Sequence, residues 1–344
     1  MPHFAPFTAG SRRSRWGAAA LAVLALGMAG CSGSASSSAT AGGLDDGLGS
    51  RAENRTVDFF TYYDPSADAF WKQILTGAED AASLTGLKIE AQTASGDTGK
   101  MTDLISAAIA KKPAAIVVSF NDPSWESAAC EASKAGIPVF AYNVPPSETA
   151  ADCVVSFVGQ DFRAVGSIIG QSLVDQVDIG SGDKVLCPAE EPDQQYAIQR
   201  GGGVDDVLKK LGTKCTFLRT SGDDGQALDA MTTWLTANQD VKAIVPLGGT
   251  PHRNAVAAQD AAGVKVPIIG FDTSPQVVDG IKSGRILASA DQQGYVQGFQ
   301  PVLEVAQLID FGISPADMNS GGNGLITKDN VSNLEDPDLE GIRY

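Results

Sequence analysis

The chain has 344 residues and a formal charge of −16, from 41 acidic and 25 basic residues. That balance argues against a nucleic-acid partner and against broad contact with an anionic membrane surface. Two histidines, His3 and His252, exclude a His-based metal site and leave His252 as the one base for a Ser-His-Asp triad. No P-loop, zinc spacing or GxSxG elbow is present, so no cofactor is expected and no reaction type is marked.

The N-terminus has the order of a secretory signal peptide. Arg12, Arg13 and Arg15 precede an apolar stretch from Trp16 to Leu26, which runs into Met28-Ala29-Gly30-Cys31. The stretch is too short for a comfortable membrane span. A Cys directly after two small residues resembles the lipobox of bacterial lipoproteins. That resemblance implies that residues 1–30 are removed and that Cys31 carries the lipid. The protein is then held at the outer face of the cytoplasmic membrane, touching it through the anchor alone. Arg12-Arg13 is an incomplete twin-arginine motif, so the export route stays open. Residues 32–50 are mostly Ser, Gly, Ala and Thr, a composition with too little apolar surface to order itself, and 31–54 is read as a tether. Loss of the leader leaves 314 residues and a charge of about −19, long enough for two lobes.

The body alternates strand and helix. A strand at Thr56–Tyr62 is followed by a helix carrying Phe70, Trp71, Ile74, Leu75, Ala78 and Ala82, a period near 3.6. A strand at Leu87–Ala91 precedes a helix with Met101, Leu104, Ile105, Ala108 and Ile109. The run Ala114–Phe120 is apolar without alternation, as suits a strand covered on both faces. A helix over Trp125–Ala135 and a strand over Gly136–Phe140 follow. Strands are then predicted at Val154–Val158, Lys184–Cys187, Cys215–Leu218, Ala243–Leu247, Val266–Gly270 and Ile286–Ala290. Helices lie at Val165–Val177, Ala197–Leu211, Leu228–Ala237, Ala255–Ala262 and Val296–Ile309. Repeated βα units imply parallel sheets with helices on both faces. About ten strands divide better into two lobes of five or six than into one sheet.

Four cysteines remain after Cys31: Cys130, Cys153, Cys187 and Cys215. In an exported chain an even number suggests disulfides, with three connectivities open. The pairs Cys130–Cys153 and Cys187–Cys215 are favoured. Each is close in sequence and stays within one lobe, so neither would impede a hinge.

In open parallel sheets, ligands bind beyond the carboxyl ends of the strands. Polar and aromatic residues gather there: Tyr62, Tyr63, Asp64, Asp68, Phe70 and Trp71 after the first strand; Asn121-Asp122; Tyr142-Asn143; Gly159-Gln160-Asp161; Glu190, Glu191, Asp193 and Arg200; Phe271-Asp272; and Asp291-Gln292-Gln293. Such an inventory suits a sugar. Carboxylates accept from hydroxyls, amides donate and accept, Arg donates in a fixed fork, and aromatic rings cover the apolar face of a sugar ring.

From Thr56 to about Lys328 the chain resembles the ribose/galactose-type periplasmic solute-binding proteins of ABC sugar importers. The matching segments are Phe70-Trp71 with Gly77-Ala78, Ala135–Val139, Val158–Asp161, Arg200–Gly203, Gly270-Phe271-Asp272, and Ile281–Ile286 leading into Asp291–Tyr295. The resemblance implies an α/β fold of two Rossmann-like lobes with parallel central sheets, joined by a three-crossing hinge. The N-terminal lobe would comprise 55–158 plus 293–323 and the C-terminal lobe 159–292 plus 324–335, with 336–344 as a surface tail. It implies a monomer that captures a neutral monosaccharide or polyol and hands it to a permease and, through it, an ATPase. The open form should dominate without ligand, and ligand touching both lobes should shift the population toward closure.

Carried over residue by residue, the resemblance makes Phe70 and Trp71 the aromatics against the ring. Arg200, Asp272 and Gln292 become polar contacts, with Gln293 an alternative to Gln292. Asp68, Tyr142 and Glu191 are further candidates. Asn143-Val144 stands where ribose-type members commonly have Asp-Arg, so ribose specificity does not carry over. Thr250–Arg253 replaces a more usual Asn-Asp pair, leaving His252 as either a ligand contact or a solvated loop residue. Adjacent Phe70 and Trp71 cannot share one helix face, so one of them is expected in the core. Asp161 is read as a helix cap, and Gly201-Gly202-Gly203 as close helix packing or a helix break. Without a nucleophile–base pair, binding without turnover is the reading. A receptor for a sugar-like signal and a nucleoside-binding lipoprotein remain as alternatives.

Overall fold

The computed structural model describes Leu48 and residues 51–321, 324–334, 336–339 and 341–343. The leader, Cys31, most of the tether, and Gly322-Asn323 of the turn expected at Gly321–Gly324 lie outside the described residues. The elements run β1 (Thr56–Thr61), α1 (Ala69–Thr85), β2 (Lys88–Thr93), α2 (Thr98–Lys111), β3 (Ala115–Val118), α3 (Trp125–Lys134), β4 (Val139–Tyr142) and β5 (Ser156–Gly159). They continue with α4 (Phe162–Gln176), β6 (Lys184–Ala189), α5 (Gln195–Leu208), β7 (Cys215–Arg219), α6 (Asp224–Ala237), β8 (Val241–Ile244), α7 (Gly249–Ala262), β9 (Ile269–Phe271) and α8 (Pro275–Lys282). The last are β10 (Ala288–Ala290), α9 (Gly294–Phe311), β11 (Met318–Asn319) and β12 (Leu325–Thr327).

The first lobe is a parallel sheet in the order β11-β5-β4-β3-β1-β2. The second has the groups β7-β6-β8 and β12-β10-β9, joined by a parallel bridge between Ile244 and Ile268; β12 alone is antiparallel. The chain passes between the sheets three times: at Gln160-Asp161, at 291–293, and beyond β11.

Burial on both faces explains the unbroken apolar strands. Along β6, Val185, Cys187 and Ala189 enter the core beneath α4 and α5, while Leu186 enters the one beneath α6, α7 and α8. Period two thus feeds two cores from one strand. Helix starts are fixed by Asp68, Asp97, Asp161 and Asp223, each accepting from backbone N–H groups of the first turn. The Asp161 cap and the close-packing reading of the triple glycine both hold. A Cβ on Gly203 would lie 2.2 Å from the Arg163 carbonyl oxygen, and one on Gly166 2.3 Å from that of Arg200. The first lobe uses the same device: a Cβ on Gly298 would lie 1.8 Å from the Ile74 oxygen, so the lack of one lets α9 approach α1 closely.

Cys130–Cys153 and Cys187–Cys215 are both bonded, with Cα atoms 4.9 and 5.5 Å apart. The sequence reading passed from β9 to β10 without a helix. Parallel neighbours require a crossover, and α8 supplies it. Ser274 as cap, Pro275 at its first position and buried Val277, Val278 and Ile281 were the legible signals. The described part of the tail is not a free surface extension: Gly341 is buried and Arg343 is paired with Asp291.

Candidate functional site

Every strand from β1 to β4 and from β6 to β10 delivers a residue just past its carboxyl end to one cavity of about 260 Å³ between the lobes. The first lobe contributes mainly rings. Asp68 caps α1 by accepting from the N–H of Phe70 at 3.0 Å and of Trp71 at 3.2 Å, which places both aromatics in the first turn facing the cavity. The expectation that one of the two is a core residue is met by Trp71, without its leaving the site. It is 5% exposed and part of the core while its edge lines the cavity. Its ring meets Phe70, Tyr63 and Tyr142 edge-on, with centroids 5.9, 6.3 and 6.1 Å apart. Tyr142 is fully buried behind Trp71, where its hydroxyl donates to the Phe60 carbonyl at 2.7 Å. It supports the wall and does not line it.

The second lobe contributes charge. The Arg200 guanidinium is buried between the rings of Phe162 and Phe271, 4.7 and 4.6 Å from their centroids. Its Nη1 donates to the Leu247 carbonyl at 2.6 Å and lies 3.5 Å from Asp272 Oδ2. Asp272 Oδ1 accepts from Gln292 Nε2. The Gln292 Oε1 accepts in turn from Asn143 Nδ2 at 3.1 Å. One relay therefore runs Arg200–Asp272–Gln292–Asn143 from the second lobe to the first. Asn143 and Asp272 both follow strands in the left-handed region, with φ of 58° and 70°. Asn and Asp tolerate that conformation, which turns their side chains into the cavity.

Glu190 accepts from Tyr196 Oη at 2.6 Å and from the Thr250 N–H at 2.8 Å. Burial raises its pKa despite both bonds, as burial does for Asp68 against the opposing pull of Arg253. A Cβ on Gly248 would sit 1.9 Å from the Glu190 carboxylate, so a side chain there would push that carboxylate off its two bonds. Arg253 reaches across the cleft, with Nη1 3.4 Å from Asp68 Oδ2 and Nε 2.7 Å from Asp224.

Of the residues singled out from sequence, Asp68, Phe70, Trp71, Asn143, Arg200, Asp272 and Gln292 line the cavity. Glu191 and Gln293 do not. Glu191 lies behind Tyr196, whose hydroxyl accepts from its N–H at 3.1 Å. Gln293 starts α9 in the left-handed region and faces a separate small cavity at the hinge. His252 is neither a ligand contact nor a solvated loop residue. It is fully buried in α7, with Nδ1 donating to the Phe271 carbonyl at 2.7 Å, and burial pulls its pKa down to about 4. The lining residues Phe162, Tyr196, Thr250 and Arg253 were missed. Phe162 and Thr250 stand at the first and second residues of helices that follow strand ends, a position that sequence could have flagged, whereas Tyr196 and Arg253 depend on how α5 and α7 face the cavity. Among the described residues, no group of three or more His, Cys, Asp or Glu side chains is placed to hold a metal ion.

Known proteins share this fold. The carbohydrate transporter of Acidothermus cellulolyticus, solved in complex with myo-inositol, superposes with a TM-score of 0.76 at 26% identity, covering 84% of this chain and 100% of that one. The xylose/arabinose-binding protein of Sulfolobus acidocaldarius is 26% identical over 286 residues, 78% of this chain and 69% of its own length. The D-apiose import binding protein of Actinobacillus succinogenes is 26% identical over 266 residues, 76% and 84% of the two chains. Residues 59–313 match the periplasmic binding protein domain, and with two α/β lobes closed on a polar cavity the chain belongs to that family.

Proposed function

We propose that the protein is the substrate-binding component of an ABC importer, which captures a neutral monosaccharide or polyol in the interlobe cavity and delivers it to a permease driven by an ATPase. The observation that carries this reading is the buried relay Arg200–Asp272–Gln292–Asn143 lying opposite Phe70 and Trp71. Asp272 accepts from adjacent hydroxyls, Arg200 and Asn143 donate, and the rings cover the C–H face. A ligand lacking one hydroxyl leaves a buried partner unsatisfied, which is the source of discrimination. Two arginines facing several carboxylates disfavour an anionic sugar. The relatives named for xylose/arabinose and for apiose, and the neighbour holding myo-inositol, support a ligand of this size and chemistry.

In this reading the ligand is bound without turnover. Contacts to both lobes favour the closed arrangement, and the permease reads that closed surface. The lobes are 55–158 plus 293–323 and 159–292 plus 324–335, with Gly159, the last residue of β5, going to the first, and Cys31 carries the anchor. Replacing Cys31 by Ser should move the protein from the membrane fraction to the soluble one. The ligand assignment is tested by a thermal-shift screen of refolded, ligand-stripped protein against sugars, polyols and nucleosides. A ligand that binds only the folded state raises its melting temperature. Stabilisation by a sugar or polyol is expected. Stabilisation by nucleosides alone, or a flat result for folded protein, overturns it.

A further inference from the structure

The end of the chain returns to the hinge. A turn at Pro337–Leu339 is followed by a reversal in which the Leu339 carbonyl accepts from the N–H of Ile342 at 3.0 Å and of Arg343 at 2.9 Å. The reversal sets Gly341 against α1 of the first lobe, where a Cβ would lie 3.4 Å from Lys72 Cε. It also delivers Arg343 to two points beside the cavity. Nη2 donates to Asp291 Oδ2 at 2.7 Å, and the Arg343 carbonyl accepts from Thr273 Oγ1 at 2.7 Å.

Asp291 is where the three crossings meet. Its carbonyl accepts from Gln160 Nε2 of the first crossing at 3.3 Å, and its Oδ1 accepts from the Gln293 N–H of the second at 2.8 Å. Gly321 of the third packs so closely that a Cβ there would lie 2.3 Å from the Asp291 oxygen. The Asp291 side chain is 9% exposed, and a buried carboxylate needs a counter-charge. The two residues that Arg343 holds, Asp291 and Thr273, adjoin Gln292 and Asp272, which hydrogen-bond each other at the cavity.

We infer that Arg343 is a positioning residue for ligand binding: by pinning Asp291 and Thr273 from behind, it holds the Asp272–Gln292 pair in register across the hinge. The inference rests on the ligand occupying the cavity proposed above. Arg343→Ala, Arg343→Lys, Asp291→Asn and the double variant Arg343→Ala/Asp291→Asn are titrated calorimetrically with myo-inositol and D-xylose. Backbone hydrogen exchange over residues 271–274 and 290–294 is measured on the same proteins without ligand.

Arg343→Ala should weaken binding roughly tenfold and also lower the melting temperature, because the buried Asp291 carboxylate is left without its counter-charge. Arg343→Lys should restore part of the loss. The double variant should recover most of it, because an amide at position 291 needs no counter-charge. Wild-type affinity in Arg343→Ala, or a loss that the double variant does not recover, overturns the inference. If the wild-type protein binds neither probe, the sugar reading is what fails. Hydrogen exchange then decides: faster exchange over both segments in Arg343→Ala, slowed again by Lys, supports the positioning role, and unchanged exchange sinks it.

Discussion

The two walls of the cavity are built on different physics. The wall from the first lobe is a cluster of rings, Tyr63, Phe70 and Trp71, backed by Tyr142, with amides such as Asn121 and Asn143 and the carboxylates Asp64 and Asp68, of which Asp68 is already engaged by the helix it caps and by Arg253. The wall from the second lobe holds Glu190, Arg200, Arg253 and Asp272, with Arg200 wedged between two phenyl rings. One wall offers a surface that any sugar ring can lie on. The other offers charged groups whose hydrogen-bonding directions are fixed, and only a ligand with hydroxyls in matching places satisfies them. Affinity drawn from the first wall should be tolerant of substrate, and affinity drawn from the second should be selective.

The sharpest way to break that contrast is at Asp272. Asp272→Ala removes the acceptor that Gln292 and Arg200 both address and leaves a buried guanidinium without its carboxylate. Losing one partner of a buried charged pair costs roughly 4 kcal/mol of stability, and the ligand hydroxyls lose their charged acceptor, about 3 kcal/mol or a hundredfold in affinity. Titration calorimetry against the best ligand from the thermal screen measures it. Undiminished affinity would remove Asp272 from the site.

His252 probes the same wall from below. It lies under Phe271, and the folded protein holds it neutral down to about pH 4, against 6.5 in the unfolded chain. The unfolded state therefore binds the proton first. The stability tied to His252 is complete above pH 6.5 and is lost as the pH falls toward 4, by roughly 3 kcal/mol. Buried Asp58, Asp68 and Glu190 have raised pKa values and act with the opposite sign, gaining stability as the pH falls. The readout is thus the difference between melting curves of wild type and His252→Gln from pH 7 to 4. The two should converge toward pH 4; parallel curves would mean that His252 is not buried neutral.

The sequence carried the second wall's position better than its partners. Asp272 was legible because a polar residue after an apolar strand in a parallel sheet has few structural reasons to be there, and Arg200, inside α5, through the family resemblance. Tyr142 obeys the same rule and is a supporting residue, because one strand end in this sheet points a large ring at the core instead of the cavity. Gln292 and Gln293 are adjacent, and only the backbone decides between them. The left-handed turn at Gln293 sends it to the hinge side. Tyr196 and Arg253 could not be placed from sequence because each reaches the cavity from a helix whose facing direction depends on how α5 and α7 pack. His252 was misjudged for a related reason: the helix containing it starts earlier than its apolar pattern, at Gly249 instead of Ala255.

On the tolerant wall, Trp71→Ala should cost about 1 kcal/mol of affinity by loss of the ring contact at the cavity and about 3 kcal/mol of stability because Trp71 is also a core residue, and Trp71→Phe should keep most of both. The substitution should weaken every ligand of the panel by a similar factor. A loss confined to one sugar would show that the aromatic wall is selective too, and the contrast between the walls would fail.

The smallest effect should come where the walls touch. Arg253 pairs with Asp68 across the cleft at 3.4 Å, with both side chains partly exposed (16% and 21%). Partly screened pairs are worth about 1 kcal/mol or less, so Arg253→Ala should reduce affinity only a few-fold, and less so in high salt. Asp68 has a second duty, since its other oxygen caps the helix that presents Phe70 and Trp71. Asp68→Ala should therefore lose the same few-fold in affinity and, in addition, about 1 kcal/mol of stability from the missing cap. Melting temperature separates the two variants: it should fall for Asp68→Ala and hold for Arg253→Ala. Equal melting temperatures with equal affinity losses would mean that the cap contributes nothing, and that Asp68 serves the site through its pairing with Arg253 alone.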